Sequence, residues 1–330
     1  MEQWPSDLPW KVNLFIYALS FAVDITRRAD GSVNRRLMSF FDRQSSPSNK
    51  PINGVKSTDI TIDKSRDLWF RLFTPTAGTT SNHTGLPVIF FFHGGGFAYL
   101  SPSSKPYDDF CRRLARELSA FVISVNYRLA PEHRYPAQIE DCFDTLRFID
   151  TTEIEGFSSN ADLKRCFMAG DSAGGNLVHH VAVKASGNEF NQVNLIGNIA
   201  IQPFFGGEER TESELRLTKA PFVNTERTDW MWKAFLPEGS NRDHPAANVM
   251  RADSVDITGI KFPATMVVVG GFDALVDWQR RYYDWLKKNG KESYLIEYEN
   301  SFHTFYAYPE VSESSLFITE VKNFMQKLNL

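Results

Sequence analysis

Cys166-Phe167-Met168-Ala169-Gly170-Asp171-Ser172-Ala173-Gly174-Gly175-Asn176 runs from apolar residues straight into a turn with glycine on both sides of a single hydroxyl. A continuous apolar run followed by Gly-x-Ser-x-Gly reads as a buried strand, a sharp turn and the start of a helix. Such a turn lifts the serine Oγ clear of the main chain, and its small neighbours let adjacent backbone come close. The first N–H groups of the helix lie beside the hydroxyl, where negative charge would develop. Asp171 should point away from Ser172 and brace the turn. A pattern with only three fixed positions recurs by chance, so the rest of the chain must supply the remaining parts.

Further continuous apolar runs lie on either side, Val88 to Phe92, Phe121 to Val125 and Met266 to Val269, and Ile196 to Gln202 is read as another strand. Strands buried on both faces read this way. Helical periods separate them at Phe110 to Leu118, Ile139 to Ile149, Asn176 to Ala185, Trp278 to Lys288 and Ser315 to Leu328. Gly290 should terminate the fourth of these. Asp59 to Ile62 and Leu68 to Phe73 partly alternate, as half-buried antiparallel strands do. The expected fold is α/β, with a mostly parallel central sheet covered by helices on both faces. Residues 1–50 and about 207–237 break the alternation, and both are candidate lids over the C-terminal strand ends, where open α/β sheets bind ligands. The chain is therefore read as an N-terminal cap segment, 1–50, and a catalytic domain, 51–330, carrying a cap insertion at about 207–237.

Acyl transfer at Ser172 needs oxyanion donors, a base and an acid. His93-Gly94-Gly95-Gly96-Phe97 follows a buried strand, and consecutive glycines can turn their N–H groups toward a substrate oxygen. With the chain order serine, acid, histidine, His83, His93 and His133 come too early. His179 and His180 sit on the helix after the elbow, and His244 precedes the last strong buried strand. His303 remains, in a loop between the strand Tyr294 to Tyr298 and the final helix. Asp273 ends the strand before it, and Asp277 is the rival. Asp277 suits the cap of a helix starting at Trp278, which favours Asp273 as the acid.

The 330 residues are 42% hydrophobic and 23% charged, enough for one large core, and the net charge of −4 lacks the basic footprint of a nucleic-acid binder. Cys111, Cys142 and Cys166 are widely spaced and odd in number, which reads as reduced structural thiols in a cytoplasmic protein. The run Leu14 to Leu19 is too short to span a bilayer and has the wrong flanking charges for a secretory leader, so a core or lid helix is expected. The Asn82-His83-Thr84 sequon would matter only on secretion. Neither H-E-x-x-H nor a G-x-G-x-x-G after a strand occurs, so no metal or cofactor is expected. Trp230, Trp232, Phe204, Phe205 and Phe222 are candidates for an apolar pocket under the cap, with ordinary cap-to-sheet packing as the alternative.

His93 to Gly96 and Gly170 to Asn176, with Tyr127 to Ala137 and Asp243-His244-Pro245, resemble the hormone-sensitive-lipase group of α/β-hydrolases, in particular the plant carboxylesterases. The resemblance covers nearly the whole chain. It implies an α/β-hydrolase fold with a helical cap and a Ser172, Asp273, His303 triad. It also implies oxyanion donors at Gly95, Gly96 and Ala173 rather than Gly94, and hydrolysis of small apolar esters through an acyl-enzyme. Tyr127 to Ala137 would buttress the site, and His93 and His133 would be structural hydrogen-bonders. The gibberellin receptors of the same group resemble esterases that keep the serine, replace the triad histidine by an apolar residue and carry serine in the place of Gly96. This chain departs from them at His303 and Gly96. Dehydratases and lactone-forming converting enzymes look like members with the same triad, so the resemblance leaves the reaction open. The expected partner is a small-molecule ester, not a nucleic acid or a membrane. The oligomeric state is not legible.

Overall fold

A computed structural model describes residues 4–5, 8–76 and 85–328. The Asn82 sequon and His83 lie outside the described residues. The strands are β1 (Val55–Asp63), β2 (Leu68–Pro75), β3 (Leu86–Phe92), β4 (Phe121–Asn126), β5 (Ala161–Asp171), β6 (Leu195–Ile201), β7 (Ala264–Phe272) and β8 (Ser293–Phe302). They form one sheet in the order β1-β2-β4-β3-β5-β6-β7-β8. Only β1 and β2 run antiparallel to their neighbours, and every pair from β4 to β8 is parallel.

The apolar run of β3 shows why these strands lack alternation. Val88, Phe90 and Phe92 enter a core with the helices α4 (Ala137–Thr151) and α5 (Ala173–Ser186). Ile89 and Phe91 point the other way, against α3 (Lys105–Glu117) and the last helix of the chain, Ser312–Leu328. Successive side chains of a strand face opposite sides, so both sets must be apolar. Each fully buried phenylalanine contributes about 1.5–3 kcal/mol of transfer free energy. Helix α3 starts a turn earlier than its apolar period, because Pro106 in its first turn needs no N–H partner and carries a φ suited to a helix start.

The regions outside the alternation are helical and lie together. The N-terminal segment forms α1 (Trp10–Thr26) and α2 (Arg35–Phe41), and the run Leu14 to Leu19 falls inside α1. Residues 207–237 contain α6 (Glu212–Arg216), closed by a Thr211–Glu214 capping box, and α7 (Thr225–Phe235), capped by Asn224. Arg227 of α7 makes a two-pronged contact with Asp24 of α1, at 2.9 and 2.6 Å, and Ser20 Oγ accepts from Phe222 N–H at 2.7 Å. The remaining helices are α8 (Val276–Lys288) and α9, the Ser312–Leu328 helix already described. Cys111, Cys142 and Cys166 are buried and unpaired. Among the described residues, no helix is long and apolar enough to cross a membrane.

Candidate active site

The elbow glycines are explained by what lies beside them. A Cβ on Gly174 would stand 1.8 Å from the Phe92 carbonyl oxygen, and one on Gly170 would stand 2.4 Å from the Gly174 carbonyl oxygen. Strand β3 therefore touches the helix start directly. Ser172, at the apex, has φ 52 and ψ −117. A non-glycine residue held there costs about 1–3 kcal/mol and persists only where surrounding structure imposes it. The imposed contacts are Ser172 N–H to Ile201 O at 2.9 Å, with Ser172 O accepting from Phe204 N–H at 2.8 Å and Asn176 N–H at 3.2 Å.

Asp171 is buried and turned toward the glycine loop. Its carboxylate accepts from Gly94 N–H at 2.9 Å and from the Tyr107 hydroxyl at 2.7 Å. Burial pushes its pKa up, while the hydroxyls of Tyr306 and Tyr107 pull it down. Gly94 N–H is thereby spent on the brace. Among the described residues, the N–H groups of Gly95, Gly96 and Ala173, the candidate oxyanion donors, have no acceptor. Gly95 and Gly96 have φ values of +98 and +60.

His303 is buried at the end of β8, and its Nδ1 lies 2.7 Å from Asp273 Oδ2. Asp273 is fully buried at the end of β7. Its Oδ1 accepts from Leu275 N–H at 3.0 Å, and its Oδ2 also accepts from the amides of Gln279 at 2.8 Å and Gln202 at 3.2 Å. Asp277 does other work. Helix α8 begins at Val276, so Asp277 lies inside its first turn and not at the cap expected of it, and its carboxylate accepts from Ser213 N–H of α6 at 2.8 Å. Ser172 lines a cavity of about 20 Å³ together with Gly95, Gly96 and Phe222, and the Phe222 ring is 6.1 Å from the His303 ring. No hydrogen bond joins Ser172 Oγ to His303 among the described residues. Such bonds are often long in unliganded sites and tighten around substrate.

His93 stacks on Tyr127 at 4.2 Å, and burial lowers its pKa to about 4. Its Nδ1 contacts Gly94 O at 2.9 Å. His133 differs from expectation: the residue is exposed and, among the described residues, only its main chain bonds, the carbonyl accepting from Gln138 at 2.5 Å. His179 Nδ1 lies 3.1 Å from the Tyr282 hydroxyl, and His180 Nε2 lies 3.2 Å from Ala246 O. The Tyr127 to Ala137 segment abuts the site through Ala130 N–H to Phe97 O at 2.9 Å. Arg134 Nη1 reaches the last carbonyls of α7, at 2.6 Å to Lys233 and 2.7 Å to Leu236.

The aromatic candidates separate. Phe222 lines the Ser172 cavity. Trp232 stacks on Phe204 at 4.0 Å as core packing, and Phe205 packs on Tyr282 at 4.3 Å in another cluster. Trp230 donates to Arg28 O at 3.1 Å. The cavity is instead walled by Leu19, Val23, Met38, Leu100 and Met231, which carry no signal in the sequence. Gln202 was also missed, although a polar residue closing a buried strand run was its signal. Its amide spans Asp273, Phe302 O at 3.2 Å and Thr304 N–H at 2.8 Å.

Residues 89–307 match the family model described as alpha/beta hydrolase fold. A gibberellin receptor of Arabidopsis thaliana (GID1C) is 41% identical, with 96% of this chain and 94% of the receptor covered. Carboxylesterase 20 of the same plant is 34% identical, with 92% and 95% covered. An ester hydrolase from the metagenome of Lake Arreo superposes with a TM-score of 0.74 at 26% identity, covering 96% of this chain and 98% of that one. The esterase of Pyrobaculum calidifontis gives 0.71 at 23%, covering 100% and 94%, and shares the fold. The chain belongs to the α/β-hydrolase family, in the group that contains the plant carboxylesterases and the gibberellin receptors.

Proposed function

We propose that the protein is a serine carboxylesterase, with Ser172 as nucleophile, His303 as general base and acid, and Asp273 as its orienting carboxylate. The observation that carries this reading is the buried 2.7 Å contact between His303 Nδ1 and Asp273. It holds Nδ1 as the donor and leaves Nε2 as the free base. Nε2 takes the Ser172 proton as Oγ attacks the ester carbonyl, then gives it to the leaving alcohol. The oxyanion is received by the N–H groups of Gly95, Gly96 and Ala173, each worth about 3 kcal/mol in comparable sites. Water deprotonated by His303 then releases the acid and frees Ser172. Three buried free thiols suit a reducing, cytoplasmic setting.

The likeness to gibberellin receptors favours a second reading, in which the cavity binds a hormone without turnover. The His303–Asp273 pair argues against it, since binding alone needs no oriented base. Intact-protein mass after exposure to an organophosphate, with p-nitrophenyl acetate kinetics, separates the two. An esterase gains one phosphoryl group on wild type and none on Ser172→Ala. No adduct and no turnover, with tight gibberellin binding, would establish the receptor reading. Parallel assays on 2-hydroxyisoflavanones and tuliposide-like esters test for a dehydratase or a lactone-forming enzyme on the same triad.

A further inference from the structure

Three cavities with shared walls lie between the N-terminal helices, α3 and the loops that follow β3 and β8. The innermost, about 20 Å³, contains Ser172. The next, about 40 Å³, reaches Thr304 and Tyr306. The outermost is an open groove of about 710 Å³ beside α1 and α3. Leu19 and Leu100 line all three, and Phe222 lines the inner two, so each cavity shares walls with the next. The inner two have room for little more than a water molecule, whereas the outer groove has the size of a small-molecule site.

The neck between them is strained. Leu100, Phe222 and Thr304 have φ values of 72, 71 and 80. Bulky or branched side chains rarely occupy that left-handed region, and such strain collects where a ligand must be admitted or clamped. Leu19 and Phe222 stand on the two sides of the Ser20–Phe222 hydrogen bond that joins the N-terminal helix to the insertion. Movement of that joint would widen the neck.

The lining of the outer groove holds more cations than anions in a protein of net charge −4. Six of its lining residues are Lys or Arg and three are Asp or Glu. Arg112 and Arg113 are consumed by Asp108 and Glu117, Lys105 by Asp109, and Arg116 by Glu117. Of the acidic residues, Asp42 accepts from Ser104 Oγ at 2.9 Å and Glu310 is exposed on the rim. Lys11 and Arg43 are exposed and have no carboxylate in salt-bridge range among the described residues.

We infer that the ester reaches Ser172 through this passage, its apolar body held by Leu19, Leu100 and Phe222 and a remote carboxylate left at Lys11 and Arg43. The inference rests on the esterase reading and gives it a substrate class: apolar esters with an anionic group at the end distant from the scissile bond. Hydrolysis of p-nitrophenyl octanoate and of mono-p-nitrophenyl suberate, equal in length and differing in the terminal carboxylate, tests it beside p-nitrophenyl acetate. Wild type should prefer the suberate in kcat/KM, and Lys11→Glu/Arg43→Glu should lower the suberate-to-octanoate ratio by about tenfold or more, through KM. Leu19→Trp should slow both long esters at least about tenfold relative to acetate. Equal use of the two long esters, or a ratio unmoved by charge reversal, would overturn the passage while acetate turnover kept the esterase reading intact. Absence of all turnover would sink the esterase reading. The passage is then judged by calorimetry, where mono-methyl suberate should bind more tightly than methyl octanoate to wild type but not to the reversed variant, and equal binding refutes it.

Discussion

Gln202→Met tests whether one buried amide sets the relation between the acid and the histidine loop. The Gln202 side chain is fully buried, accepts from Thr304 N–H at 2.8 Å and donates toward Phe302 O and Asp273, both at 3.2 Å. Methionine preserves length and removes every polar atom. Asp273 Oδ2 keeps Gln279 and His303, so its loss is partial. Thr304 N–H and Phe302 O lose this partner on either side of His303. At about 1–3 kcal/mol for each of these two groups left unsatisfied, the variant should lose about 2–6 kcal/mol of stability. That corresponds to a fall in Tm of roughly 3–9 °C for a chain of this size. Because the released segment carries the proposed base, kcat for p-nitrophenyl acetate should drop by about 10- to 100-fold with KM within about threefold, as expected of misplaced catalytic groups. Differential scanning fluorimetry and steady-state kinetics read both. Wild-type kcat together with an unchanged Tm would refute the positioning role. A lowered Tm with wild-type kcat would make Gln202 structural only.

Gly96→Ala should cut activity toward short esters by about tenfold or more, because a Cβ there meets Met231 Sδ at 2.2 Å at a φ of +60. A second change, Met231→Ala, should recover part of the loss if crowding contributes, and no recovery would place the whole effect in the backbone. Burial lowers the pKa of His93 from 6.5 to about 4, and that of His179 well below its ordinary value. The unfolded chain therefore binds more protons in that window, so stability is fully present above pH 6.5 and lost as the pH falls toward 4, by about 3 kcal/mol for His93. Urea unfolding at a series of pH values measures it, and a His93→Gln variant with an unflattened profile would contradict the assignment. Arg227→Met breaks the two-pronged contact with Asp24, so trypsin should cut faster within residues 27–43 and KM should rise. Cleavage at the wild-type rate would mean that this contact does not hold the N-terminal segment.

Much of the fold was legible because strand burial leaves a local mark. Both faces of β3 are covered, so Val88 to Phe92 had to be apolar throughout, and the elbow needed glycine wherever β3 backbone came within contact distance. Chain order brought Asp273 and His303 to attention, and the structure sets them 2.7 Å apart at adjacent strand ends. Helix starts were less legible: the apolar period reports the buried face, whereas the helix at Lys105 begins with Pro106 in its first turn and the helix at Val276 begins without a side-chain cap. Asp277 was misassigned for the same reason, its partner Ser213 lying 64 residues away.

The proposed nucleophile, its histidine, its carboxylate and their sheet can be written along one line because each depends on residues within a turn or a strand of itself. The shape of the space around Ser172 cannot. Leu19, Leu100, Phe222 and Met231 come from separate segments, with no shared spacing or residue type. Their meeting was settled by helix packing across the sheet edge, and with it the width of the neck and the charge at its mouth.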